Sequence, residues 1–479
     1  MTPANLVAMP LVIPLVSAAG LLLLLGLPRV GRWVNLLSSL LVLGVGAILV
    51  SAQGQETTTV LAFGGWRAPY GIVFVQDMLS SLMVLMAGLV ASLCAVHALE
   101  LPKPELERAG LFPLMQLLLA ASCGSFLTGD LFNLFVWFEL LLMSGLALSS
   151  LGGTRAELEG TLKLFGINLI GSFIFLLSCG MFYGSLGTLN MAQISQLLPG
   201  NPLPIASMMM IFVVLTKAAA FPVGTWLPAS YSAPSPVVAA ILAGLSTKVG
   251  TYVLIRWQSL SPAVPLELLM GVGILTILFG SFGALGTRNV RQMIAFHILS
   301  QIGFVIVGVA SGSPLGLAGA ILHVFHNAVL KPGLFFVIDR PSGAAPVRDL
   351  DDLRGYADRW PIAAIGFGLV AAALVGIPPL AGFISKIMLV QGSRVDIGLL
   401  LLGFSLVSLI YMLRIAAAMI RPSDVRDAFR GPRFSVALVA FCAVGLGIGA
   451  GFTTDYAART SRQLAVRGEY QSKVLEEAR

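Results

Sequence analysis

Fourteen runs of roughly twenty apolar residues follow one another along the chain, at about 5–27, 33–51, 72–97, 110–128, 131–151, 160–184, 206–226, 236–258, 264–286, 290–310, 314–338, 361–391, 396–420 and 432–452. A helix of that length crosses the hydrocarbon core of a bilayer. Lipid offers no partner to a bare N–H or C=O, so helix is the local structure such runs must take. Charged residues make up 11% of the chain, against about 25% in a soluble domain. The expected fold is an all-α polytopic membrane protein of about fourteen transmembrane helices. The first run has no basic segment before it and is too long for a signal h-region, so it reads as a retained span.

Orientation follows from counting basic residues. An even number of spans puts both termini on one side, together with the even-numbered loops. The odd-numbered loops hold Arg29, Arg32, Lys103, Arg108, Arg155, Lys163, Arg288, Arg291, Arg340, Arg348, Arg354, Arg359, Arg421, Arg426, Arg430 and Arg433, sixteen in all. The even-numbered loops hold three, Arg67, Arg256 and Arg394, and the C-terminal tail adds five. The positive-inside rule places the odd loops in the cytoplasm of a bacterial cell and both termini outside. This asymmetry also accounts for the net charge of +7, because no basic patch with interleaved aromatics points to nucleic acid.

Cys94, Cys123, Cys179 and Cys442 are scattered through apolar runs without a CxxC pair, so neither a disulfide framework nor a metal site is expected. No phosphate-binding glycine loop, Ser/His/Asp set or cofactor motif occurs, and no cofactor is expected. Chemistry in such a chain falls to ionisable groups inside the membrane. These cost about 2.5–3.5 kcal/mol each on insertion scales and are functional candidates by default. They are Glu139, Lys217, Lys248, Lys331 and Lys386, with His297, His323, His326 and Arg414. Four of only seven lysines stand where lysine is most expensive. A lysine near a span end can snorkel, the bland alternative for Lys386 and Arg414. Asp77, Lys163 and His97 sit near span ends and read as interfacial. A lone buried histidine is more often structural, which bears on His297. Asp130, an acid near the start of the fifth span, is a further candidate. As a set, one acid and four lysines on separate spans suit proton exchange, since burial and carboxylate proximity push a lysine's proton affinity in opposite directions.

Two spans are interrupted. AAAFPVGTWLP follows Lys217, with Pro222 and Gly224, and GIPPLAGF precedes Lys386, with Pro378 and Pro379. Paired interrupted spans are the sequence pointer to an inverted-repeat transporter. They lie five spans apart, so spans four to eight and nine to thirteen can be superposed in opposite orientation. Lys217 is then set against Lys386, and Lys248 against Arg414. The expected division is 1–109, a three-span N-terminal segment; 110–258 and 259–420, two five-span repeats; and 421–479, a last span with a polar tail.

The stretches TGDLFNLFVWFELLLMSGLALSSLGG (128–153), GTLNMAQIS (187–195), LTKAAAFPVGTWLPASYSAPSPVVAAILAGLSTKVGTYVLIR (215–256), FHILSQIGF (296–304) and GIPPLAGFISK (376–386) resemble the antiporter-like subunits shared by respiratory complex I and the Mrp-type multisubunit cation/proton antiporters. The resemblance covers nearly the whole chain. It implies fourteen spans with inverted repeats and an ion-pair acid, Glu139, for Lys217. It further implies a central Lys248, a relay at His323 and Lys331, and a terminal Lys386, joined along a hydrophilic axis. Pro332 directly after Lys331 and the second histidine, His326, depart from the expected spacing. The implied activity is proton translocation within a hetero-oligomeric monovalent cation (Na+)/H+ antiporter, among other membrane subunits. The alternatives are a proton-pumping subunit of complex I or a membrane-bound hydrogenase, and a scaffold in which the charges only hold the bundle together.

Overall fold

The computed structural model describes residues 3–53, 58–261, 265–422 and 431–476. Helices α1 (Pro3–Leu23) and α2 (Pro28–Ala52) open the chain. A short antiparallel hairpin follows, β1 (Thr59–Ala62) against β2 (Val73–Gln76), with Thr59 opposite Gln76 and Ala62 opposite Val73, and leads into α3 (Met78–Glu100). Next come α4 (Pro104–Arg108), α5 (Leu111–Leu127), α6 (Leu131–Ser149), α7 (Arg155–Leu186), α8 (Met191–Leu197), α9 (Pro204–Ala218), α10 (Trp226–Ser232) and α11 (Pro236–Leu260). Then follow α12 (Leu266–Gly286), α13 (Val290–Ala310), α14 (Pro314–Val337), α15 (Tyr356–Arg359), α16 (Pro361–Val375), α17 (Ala381–Gln391) and α18 (Val395–Ile420). The chain closes with α19 (Phe434–Ile448), α20 (Ala450–Ala465) and α21 (Arg467–Glu476).

The helix starts are written locally. Proline occupies the first turn of α2, α4, α9, α11, α14 and α16, where its missing N–H costs nothing. Side-chain oxygens of Asp77, Asp130, Thr154, Asn190, Asn289 and Ser313 cap the first turns of α3, α6, α7, α8, α13 and α14.

Eleven described helical segments are long and apolar enough to cross a bilayer, and two bent pairs raise this to thirteen. Leu111–Leu127, at 17 residues, is the remaining counterpart of the fourteen runs. Nearly all of it is buried, so its length need not match the lipid. The third run is expected from residue 72, but residues 73–76 form a strand and the helix begins after the Asp77 cap. The polar tail forms α20, turned 72° from α19, and α21. Tyr456 and Gln463 of α20 bind the backbone of Met78, Ser461 binds that of Pro314, and Gln471 of α21 binds Ser195.

Arg256 is not the loop charge expected. It lies in the last turns of α11, 4% exposed. Its guanidinium meets both carboxylate oxygens of the equally buried Asp77, at 2.7 and 2.8 Å. Lys163 likewise lies inside α7. Arg426 and Arg430 lie outside the described residues.

Burial divides the helices by role. Every residue in the most apolar stretch of α14 is buried, and 94% in α11 and α13, against 28% in α18 and 33% in α1 and α2. The three innermost helices carry Lys248, His297, His323, His326 and Lys331, so the costliest side chains sit furthest from lipid. Glycine brings neighbouring helices together at the periphery. A Cβ on Gly88 of α3 would stand 2.5 Å from the Leu43 nitrogen, and one on Gly46 of α2 would stand 2.7 Å from the Leu85 Cα. Such small-residue contacts replace the hydrophobic drive that lipid removes. Gly88→Val should therefore force α2 and α3 apart and destabilise the fold by about 1–3 kcal/mol, read as a lower thermal midpoint of the detergent-solubilised protein.

Candidate proton-transfer site

Lys217 stands in the last turn of α9 and is 6% exposed. The helix stops directly after it. Ala219 takes a left-handed conformation at φ 61°, a strained choice for alanine that costs about 1–2 kcal/mol. The chain re-enters helix at Trp226. Gly224 is required there because a Cβ would strike the Ala219 carbonyl oxygen. The freed Phe221 N–H donates to the Thr276 hydroxyl at 3.0 Å. Gly250 of α11 lets that helix press on the break, since its Cβ would run into the Ala218 nitrogen.

The structure brings Glu139 and Lys217 together through a third residue. The Ser172 hydroxyl of α7 donates a short hydrogen bond to Glu139 Oε1, and the Lys217 amine donates to the same hydroxyl at 3.4 Å. The Lys217 ammonium also lies 5.6 Å from the centre of the Phe138 ring. A cavity of about 30 Å³, lined by Asn168, Trp226, Tyr231 and Ser246 among others, reaches Lys217, and about 10–15 Å³ suffices for one water.

Lys248, on helix α11 that packs against α9, donates to the Ala243 carbonyl at 2.8 Å and the Thr247 hydroxyl at 3.0 Å. Its amine lies near that of Lys331 on α14. Further along α14, His323 contacts Gln301 Oε1 through Nε2 at 3.2 Å and Ser385 through Nδ1 at 3.1 Å. Lys386 donates to the carbonyl of Val375, the last residue of α16, at 2.8 Å. The Phe304 ring lies between these two groups, 5.8 Å from the His323 ring and 5.0 Å from the Lys386 nitrogen. Gly376, at φ 96°, ends α16, and α17 starts at Ala381 beyond Pro378 and Pro379.

Other expected residues hold different posts. Arg414 of α18 donates to the carbonyls of Leu285 and Thr287 at 2.6 and 3.2 Å, which closes the C-terminal end of α12. Asp130 caps α6 through the Asn133 N–H at 2.8 Å. His297 contacts the Tyr411 hydroxyl at 2.7 Å, on the side of α13 that faces α18. His326 is 1% exposed with neither ring nitrogen bound to protein. Lys217 precedes its break and Lys386 follows its own, so the two share a kind of place rather than a matching position. Lys248 and Arg414 share neither role. Among the described residues no group of three or more His, Cys, Asp or Glu is placed to hold a metal.

Ser172, Gln301, Phe304 and Ser385 are not among the residues expected from the sequence. Gln301 stands in the quoted motif FHILSQIGF, and an uncharged amide or hydroxyl within an apolar run is the signal that marks it and the two serines.

Inward lysines along broken and buried helices define a membrane protein of the ion-translocating class. Residues 128–410 match the family described as NADH:quinone oxidoreductase/Mrp antiporter, TM, and the chain belongs to that family. It is 30% identical to the D-type Na(+)/H(+) antiporter subunit of Bacillus subtilis over 99% of this chain and all of that one. It is 33% identical to the like-named protein of Alkalihalophilus pseudofirmus over 86% of each chain. Among solved structures, a chain of the Mrp complex from Dietzia sp. superposes with a TM-score of 0.91 at 26% identity, over 99% of this chain and all of that one. A chain of an archaeal membrane-bound sulfane sulfur reductase shares the fold, with a TM-score of 0.89 at 23% identity over 98% of this chain and 99% of that one.

If the Ser172 hydroxyl links Glu139 to Lys217, Ser172→Ala should leave the helices in place and weaken that link by about 1–2 kcal/mol. The expected outcome is a roughly tenfold lower ion-exchange rate, measured with the amount of assembled complex held constant.

Proposed function

We propose that the chain is the proton-translocating subunit of a multisubunit monovalent cation (Na+)/H+ antiporter, which moves protons along a Glu/Lys/His relay near the membrane mid-plane. The observation that carries this is the Ser172 hydroxyl held between the Glu139 carboxylate and the Lys217 amine at a broken helix. A lysine so placed is stabilised as a cation while the carboxylate is near, and gives up its proton when the two separate. The Ala219 strain and the Gly224 clearance make the end of α9 the part able to move. From Lys217 the proton passes to Lys248, then to Lys331, and by His323 to Lys386. At Lys386 it reaches an aqueous exit.

Two backbone bridges support the inverted repeat. Asp130 pairs with Asn190, and Asn289 with Asp349. The first joins loops four and six and the second joins loops nine and eleven, the same connection five spans later at the opposite end of the bundle. Na+ is the cation this reading favours, and the names of the relatives support it. The partners are the other membrane subunits of the complex, which sits in a bacterial cell membrane with both termini outside.

Antiport in vesicles that contain the whole complex tests this. Glu139→Ala and Lys217→Ala should each reduce Na+/H+ exchange to the level of empty vesicles. Wild-type exchange by either assembled variant would overturn the mechanism.

A further inference from the structure

Helix α3 lies outside both repeats, yet it grips each of the two inner lysine helices. Arg256 stands eight residues beyond Lys248 on α11, and Asp339 eight residues beyond Lys331, just past α14. Each is therefore about two helical turns from its lysine. Asp77, at the start of α3, binds Arg256. His97, near its end, meets Asp339 Oδ2 through Nε2 at 3.0 Å. The two contacts lie at opposite ends of the bundle.

They differ in what they can do. Arginine stays charged at any working pH, and Arg256 is closed in by the Tyr252 and Tyr470 rings at 5.6 and 5.2 Å, the latter from α21. The other contact opens to water. Lys103 binds the second oxygen of Asp339 at 3.0 Å, and Lys103 and Asp339 both line a cavity of about 770 Å³ at the odd-loop end. His97 lies directly behind them, fully buried. Its Nδ1 meets the Ser435 hydroxyl at 2.8 Å, and its ring stacks on Phe336 of α14 at 4.0 Å.

Glu105, Arg155, Glu157, Glu159, Arg291, Arg340 and Arg348 also line the cavity. Glu100 of α3 is taken up by the N–H groups of Arg433, Phe434 and Ser435 and by the Ser435 hydroxyl, at the start of α19. Arg291 of α13 acts on Asp339 from a distance and donates to the Val347 carbonyl. The Arg340 N–H donates to Asp339 Oδ1, and Tyr356 of α15 donates to the Val337 carbonyl. Ser435 is the polar group that α19 presents to His97.

We propose that His97, with Asp339 and Lys103, forms a proton-binding site at the floor of this cavity, and that its occupancy sets how firmly the relay helix α14 is held at that end. The inference rests on the relay proposed above. Burial pushes the Asp339 carboxyl up, but His97 and Lys103 outweigh it and hold it below the ordinary carboxylate range. Asp339 is therefore held as a carboxylate, which leaves the His97 imidazole as the proton acceptor of the cluster. A proton from the cavity taken up by the imidazole turns the hydrogen bond of a neutral ring to the Asp339 carboxylate into a buried ion pair, which tightens the hold on α14. Its release reverses the change.

The test is the pH profile of exchange by the whole complex in vesicles, with pH varied on the odd-loop side. His97→Gln keeps a donor and an acceptor for Asp339 and Ser435 but cannot bind the proton. It should flatten the profile, or shift it by about one pH unit, with normal assembly. Lys103→Gln, at the wet edge of the cluster, removes a like charge from beside the imidazole and should shift the profile to higher pH. It decides the matter where His97→Gln fails to assemble. Superimposable profiles overturn the inference. If they coincide while Lys217→Ala abolishes exchange, the proton-binding site alone fails. Exchange by Lys217→Ala would instead overturn the relay.

Discussion

A helix broken inside a membrane frees N–H and C=O groups that lipid cannot satisfy, and the organisation of this protein follows from how those groups are met. At the first break the Thr276 hydroxyl receives the Phe221 N–H, and the Ala220 N–H reaches back to the Leu215 carbonyl. At the second, Lys386 itself takes the Val375 carbonyl. Both breaks require a left-handed residue and a glycine with no room for a Cβ, Ala219 with Gly224 and Gly376 with Gly382. Since the breaks must be shielded by protein, the helices around them become the core, and α11, α13 and α14 are the ones least exposed.

That shielding decides where charge can be kept. A buried amine needs an oxygen within reach, and each lysine with a resolved oxygen partner finds a different kind. Lys217 uses a serine that is itself bound to a carboxylate, Lys248 a carbonyl and a threonine of its own helix, and Lys386 a freed carbonyl. Lys331 has Lys248 as its charged neighbour instead. One acid, Glu139, serves a series of four amines, so the series has an electrostatic beginning at the first break. In the proposed relay, a proton displaced there finds amines next, not carboxylates.

Much of this is legible in the sequence because membranes write in a coarse code. The apolar runs give the helices, and the isolated Glu139, Lys217, Lys248, Lys331 and Lys386 announce themselves by cost. Hydroxyls and amides carry far less cost, so Ser172 and Ser385 are only faintly marked until α7 is seen against α9 and α17 against α14. Span ends are equally mute. Arg256 reads as a loop charge and His97 as interfacial because chain position does not tell which side chains neighbouring helices cover, and both are buried. The hairpin at 59–76 is hidden for a related reason, since Val73–Gln76 is as apolar as the helix it precedes.

The inverted repeat proposed above gives the two faces of the membrane the same backbone plan, and such a plan by itself has no built-in direction. Direction has to come from whatever breaks the symmetry. Helix α3 does so, because it belongs to neither unit and meets α11 and the end of α14 with different chemistry. Toward the even loops it offers Asp77 to a permanent cation, beneath the C-terminal helices. Toward the odd loops it offers His97 to a carboxylate beside a large open cavity. One contact is made to a permanent cation, and the other is the cluster proposed above to bind a proton. The helix outside the repeats thus supplies a physical difference between the two faces that the repeats cannot.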